Sequence, residues 1–140
     1  MKMILRYILT AALLFTAAGG VSACSSTPAA TTESAEVTAI RAYADPATRT
    51  TLEGLSENNL AKYTQNSNAQ FKSALTQDIL DKTAAQIKSQ LGGFVSITFV
   101  KTEQEAPYTI VHYKAKYEKG EVGVRMVFDA DKLIAGQWFE

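Results

Sequence analysis

Val111-His-Tyr-Lys-Ala-Lys-Tyr-Glu-Lys-Gly-Glu-Val-Gly-Val-Arg-Met-Val-Phe128 decides the fold. Apolar side chains fall at Val111, Tyr113, Ala115 and Tyr117, with His112, Lys114, Lys116 and Glu118 between and after them. Past Lys119-Gly120 the alternation resumes: Val122, Val124, Met126 and Phe128 against Glu121, Gly123, Arg125 and Asp129. A period of two belongs to a strand with one dry face and one wet one. Two such runs across a short Gly-containing turn read as an antiparallel hairpin. Upstream, Val95, Ile97 and Phe99 alternate with Ser96 and Thr98, and Pro107 stays clear of the second strand's middle. Downstream, Asp129-Ala-Asp-Lys132 is a turn. The last run, Ile134–Phe139, shows no alternation clear enough to assign an inward face. Four strands with one polar side need a cover on the other.

The cover precedes the sheet. Thr76 caps a helix over Gln77–Leu91, Asp78 and Asp81 suit its positive end, and Gly92-Gly93 stops it. Leu80, Ala84, Ile87 and Leu91 form its apolar stripe. Asp45-Pro46 reads as a second helix start, a capping carboxylate followed by Pro at the first helical position. That helix buries a set drawn from Ala47, Thr51, Leu52, Leu55, Leu60 and Tyr63, with Gly54 the weak point in its middle. Asn66-Ser67-Asn68 is a break, and Ala69–Ala74 a short helical turn. The expectation is an α+β domain over residues 39–140, its N-terminal helices packed on one face of a four-stranded antiparallel meander.

Ahead of the domain lies an address. Lys2 and Arg6 precede the apolar run Tyr7–Ala18, which is shorter than the roughly 20 residues of a spanning helix, and small residues follow. Residues 1–23 therefore read as a secretory signal peptide. Val21-Ser22-Ala23-Cys24 resembles the lipobox of prokaryotic lipoproteins. That resemblance implies an acylated Cys24 thiol, cleavage just before it, and a place at the cell membrane or envelope on the extracytoplasmic face. Residues 24–38 carry almost no large apolar group and read as a flexible tether holding the domain on the order of 20 Å from the bilayer.

Composition narrows the chemistry. The 140 residues hold 14 basic and 14 acidic side chains, without the basic excess that duplex nucleic acid requires. One Cys makes neither an internal disulfide nor a Cys-rich zinc site. His112 stands among lysines on the expected solvent face with no carboxylate forced close. Asp129 and Asp131 lack the ligand ladder of a calcium loop and read as turn residues. Neither a metal nor a cofactor is expected. Bulky aromatics first serve as core fillers, each worth roughly 1.5–3 kcal/mol when buried. The sharper reading makes Tyr63, Phe99, Tyr113, Tyr117, Met126 and Trp138 a pocket lining, with Tyr113, Tyr117 and Trp138 at the mouth.

Asn59-Leu-Ala-Lys-Tyr63, Leu91-Gly-Gly-Phe94 and Val127-Phe-Asp129 followed by Ile134-Ala-Gly136 together resemble domain of unknown function 3887 over about Ala44–Phe139. The build is similar to the cystatin-like and nuclear-transport-factor-2-like superfold, which implies a sheet curled round a helix to leave a conical pocket. The family brings no active-site residues to transfer. The leading expectation is a non-enzymatic, lipid-anchored module for a protein or a small apolar ligand. The alternative is a small hydrolase or isomerase using the cone. An inhibitor of the cystatin kind ranks last, since no Gln-x-Val-x-Gly loop occurs.

Overall fold

A computed structural model describes residues 33–140. The segment read as a signal peptide, Cys24, and the stretch read as a tether up to residue 32 lie outside the described residues. Helices α1 (Ala35–Ser56), α2 (Leu60–Tyr63), α3 (Ala69–Ala74) and α4 (Gln77–Leu91) precede strands β1 (Phe94–Glu105), β2 (Tyr108–Tyr117), β3 (Gly120–Phe128) and β4 (Ile134–Phe139). The strands pair in chain order, each antiparallel to the next. The fold is α+β, helices first and an open four-stranded sheet after.

The helix expected to start at Asp45-Pro46 starts eleven residues earlier in the chain and encloses Pro46. Ser34 is its cap, accepting from the Val37 N–H at 3.2 Å, so the helix also takes in the end of the stretch read as tether. An interior proline costs a helix roughly 3 kcal/mol. Ile40, Leu52 and Leu55, at most 6 % exposed, return roughly 1.5–3 kcal/mol each by burial. Their stripe crosses the proline, and tertiary burial outweighs the local stop signal.

The inner face of β2 and β3 follows the alternation closely. Val111, Tyr113, Ala115, Tyr117, Val124, Met126 and Phe128 are all buried in one core with Ile40, Ala44, Ala47 and Leu52 of α1. Ala44 and Ala47 have little side chain, which lets the helix sit low on the sheet. A second cluster, Leu55, Tyr63 and Leu80, joins α1, α2 and α4. β1 departs from simple alternation. Register shifts fall between Phe94 and Ser96 and between Phe99 and Lys101. Val95 and Val100 stand out at these shifts, each 51 % exposed, while Phe94, Ile97 and Phe99 pack on the core. Irregularities of this kind blunt an edge strand against pairing with another chain. Another shift, between Val127 and Phe128, settles β4. Ile134, Gln137 and Phe139 pair with inward residues of β3, while Gly136 and Trp138 pair with outward ones.

Three phenols are buried here, and burial is the chief cause of their raised pKa values. Tyr63 and Tyr117 are each pushed up to about 12, and Tyr113 rises as well. Below about pH 10 the phenols are protonated in both the folded and unfolded chain, so their effect on stability is constant. Above it the unfolded chain releases protons that the folded chain keeps, so stability falls as pH rises. The expected fall is on the order of 1 kcal/mol per pH unit for each phenol up to about pH 12, read from denaturant midpoints across that range. Tyr117→Phe should flatten the profile with little loss near neutrality, because the Tyr117 hydroxyl is buried without a partner.

Candidate functional site

The residues expected to line one pocket do not meet round one mouth. Tyr113, Tyr117 and Met126 lie in the core, Tyr63 belongs to the second cluster, and Phe99 is half-buried at the core's rim. Trp138 is on the opposite side of the sheet and 50 % exposed. The Tyr113 hydroxyl donates to Asp45 Oδ1 at 2.8 Å. Asp45 Oδ2 accepts from Arg41 Nε at 3.1 Å and Nη2 at 3.0 Å, and the guanidinium lies 4.9 Å from the centre of the Phe99 ring. Asp45, read as a helix cap, instead ties α1 to β2 with a charge-assisted bond.

His112 corrects a second expectation. Its side chain is on the outer face, but it is only 16 % exposed and two carboxylates stand near it. Glu140 Oε2 lies 3.4 Å from Nδ1 and Glu103 Oε2 3.7 Å from Nε2. The pairings Lys101↔His112↔Arg125 set Glu103 diagonally across from the ring. The Glu140 N–H donates to the Gly123 carbonyl at 2.9 Å, which brings its side-chain carboxylate alongside the ring. Lys101 pairs with Glu103 and holds its carboxyl below the usual range. The acids sit on opposite ring nitrogens and do not converge on one ion. Among the described residues no three His, Cys, Asp or Glu side chains form a metal-binding group.

What the fold does build is a cleft between α3 and the outer face of the sheet. The chain from Asn66 to Asn68 runs beside β4: the Ile134 N–H donates to the Asn66 carbonyl and the Asn68 N–H to the Ile134 carbonyl, both at 2.9 Å. Asn68 then caps α3, its Oδ1 accepting from the Phe71 N–H at 2.9 Å. Its Nδ2 donates to Asp129 Oδ2 at 2.9 Å. Asp129 Oδ1 accepts from the Asp131 and Leu133 N–H groups at 3.0 Å each. Desolvation pushes the Asp129 carboxyl up, yet the bonds from Asn68, Leu133 and Asp131 outweigh it and hold the pKa below the usual value. Asp129 is thus the turn residue the sequence suggests and also the clamp that holds α3 beside β4.

The resulting cleft encloses about 350 Å³. Asn68, Gln70, Phe71 and Ala74 form its helical wall, and Tyr108, Val127, Ala135 and Trp138 its sheet wall. Tyr108 is 42 % exposed, so both large aromatics of the sheet wall face water. Trp138 is seated against Gly136, where an added Cβ would fall 2.3 Å from Cη2. The Arg125 guanidinium lies 5.3 Å from the indole centre. Of these residues the sequence pointed only to Trp138 as pocket-forming, grouped with Tyr113 and Tyr117; the pairing Arg125↔Trp138 puts it on the other face from them. Tyr108 shares the parity of Ile110 and so its face, but nothing local shows that α3 stands opposite.

A family model described as a protein of unknown function, DUF3887, matches residues 49–136. The match runs from the middle of α1 into β4, a narrower span than Ala44–Phe139, and ends before Trp138. No curated protein and no solved structure matches the chain. With well over half its length under that model, the chain belongs to the DUF3887 family.

Proposed function

We propose that the protein is a lipid-anchored binding module on the extracytoplasmic side of a cell membrane, and that it takes its ligand in the cleft between α3 and β4. The observation that carries the binding half is the pair of exposed aromatics, Trp138 and Tyr108, on the wall of a clamped cleft. Tyr and Trp are enriched at interfaces, where one end of the side chain is apolar and the other wet, and exposed apolar surface gathered in one groove marks interaction sites. The anchoring half rests on Val21-Ser22-Ala23-Cys24 after an apolar leader. Two or more acyl chains hold a protein firmly where a single chain is marginal.

Binding is favoured over catalysis because the candidate carboxylates and the imidazole each stand beside partners of their own. Asp45 serves Tyr113 and Arg41, Asp129 serves three donors, and His112 lies between Glu103 and Glu140. The cone where an enzyme of the alternative reading would work is occupied by Tyr113, Tyr117 and Met126. In the native host, Cys24→Ala should abolish incorporation of labelled fatty acid and remove the protein from its normal membrane fraction. Unchanged labelling and fractionation overturn the anchor. An envelope pull-down and a small-ligand screen that both return nothing overturn the binding half.

A further inference from the structure

We infer that the α3–β4 cleft is a site for a neutral saccharide, with Trp138 and Tyr108 as stacking surfaces and Gln70 as the hydroxyl-reading amide. The inference rests on the binding-module reading and names the ligand class for its cleft. None of the lining side chains carries a formal charge; the nearest charged groups stand behind them, Arg125 on the indole of Trp138 and Asp129 held by Asn68, Asp131 and Leu133. A wholly apolar ligand would fit the rings but would strip water from the Gln70 amide without replacing it. A sugar ring meets both demands. Its C–H face lies against an aromatic face, whose π-cloud is electron-rich, and its hydroxyls exchange hydrogen bonds with a neutral amide. Gln70 is exposed, and among the described residues its side-chain amide takes no partner; its backbone carbonyl accepts from Ser73 Oγ at 2.8 Å.

The platform is also held ready. Gly136 against the indole and the Arg125 guanidinium over part of its ring restrict Trp138 before any ligand arrives, and α3 is locked by the Asn68–Asp129 bond. Ordering that is complete before binding is not charged against affinity. A volume of about 350 Å³ stands at the small end of ligand clefts, which run roughly 300–1,000 Å³. It suits a short sugar segment, not a folded partner.

Trp138 is the chain's one tryptophan, so intrinsic fluorescence reports on this cleft directly. Full-length protein in detergent should be titrated with cellotriose and with tri-N-acetylchitotriose, and in parallel with a proline-rich decapeptide and a short-chain fatty acid. Saturable change in Trp138 emission with at least one sugar is expected, with Kd on the order of 0.1–1 mM. Tyr108→Ala should weaken that binding about tenfold and Gln70→Ala several-fold, neither changing the thermal midpoint materially. Both positions are on the surface, so misfolding would show as a lost transition. A separate variant, Gly136→Ala, should displace the indole and weaken binding while leaving Tyr108 and Gln70 untouched.

A response confined to the peptide or to the fatty acid overturns the saccharide assignment and leaves the binding module standing. A sugar response that survives both Tyr108→Ala and Gln70→Ala overturns the cleft. Silence from every probe to several tens of times the expected Kd overturns the saccharide assignment; silence in the envelope pull-down as well overturns the module.

Discussion

Replacing Gly54 with alanine is expected to destabilise the domain by roughly 2–4 kcal/mol. The sign is the informative part, because in an ordinary helix interior Gly→Ala stabilises by up to about 1 kcal/mol. Here an added Cβ would fall 2.4 Å from the Tyr63 nitrogen, 2.7 Å from its Cα and 2.9 Å from the Lys62 carbonyl carbon. All three are backbone atoms, so no rotamer change relieves the clash. α2 must move away from α1, and Tyr63, 7 % exposed in the cluster with Leu55 and Leu80, moves with it. Ion pairs from Lys62 to Glu53 and Glu57 across the same crossing would open too, though exposed pairs of this kind add little. A domain of this size shifts its midpoint by roughly 4–8 °C for each kcal/mol, so thermal unfolding reads the result easily. A Gly54→Ala protein as stable as the parent would mean that the two helices do not approach as described.

Tyr113→Ala is the second large effect, about 3–5 kcal/mol, comparable to removing a buried Phe. The ring is 1 % exposed and meets Phe99 edge-on, centres 6.2 Å apart and planes at 78°. Its loss leaves a cavity between α1 and β2 and takes away a partner of Asp45. Tyr113→Phe separates the two contributions. It keeps the ring and deletes only the 2.8 Å bond to Asp45, which, as a hydrogen bond to a charged group that Arg41 still holds, should account for about 1–2 kcal/mol. Denaturant midpoints of the two variants therefore differ by at least the value of the packed ring. Equal losses would show that the hydroxyl dominates the site and that the core tolerates the void.

The alternation from Val111 to Phe128 carries the sheet into view because strand pairing and one-sided burial both write themselves at a period of two. The helix Gln77–Leu91 is equally plain, with Thr76 at one end and Gly92 at the other. α1 is harder to read: Asp45-Pro46 is a sound local start signal, overruled by a buried stripe whose partners lie far along the chain. Gly54 shows the same divide. Met alone, it looks like a flaw in a helix; beside Tyr63 it is the residue that lets two backbones touch. His112 looked solitary because Glu103 and Glu140 reach it only across strand pairings. The cleft was the least legible feature of all, since Gln70, Tyr108 and Trp138 belong to three elements and no local pattern links them.

Periodicity and punctuation thus determine most of the helices and strands and their order, because those properties depend on neighbours within a few residues. Which aromatics are filler and which face water was decided in three dimensions. A single register shift in β4 turns Trp138 outward, and the bonds of Asn66 and Asn68 to Ile134 and Asp129 set α3 beside it. Both depend on contacts between residues distant in sequence, and parity along a strand is lost at the first bulge.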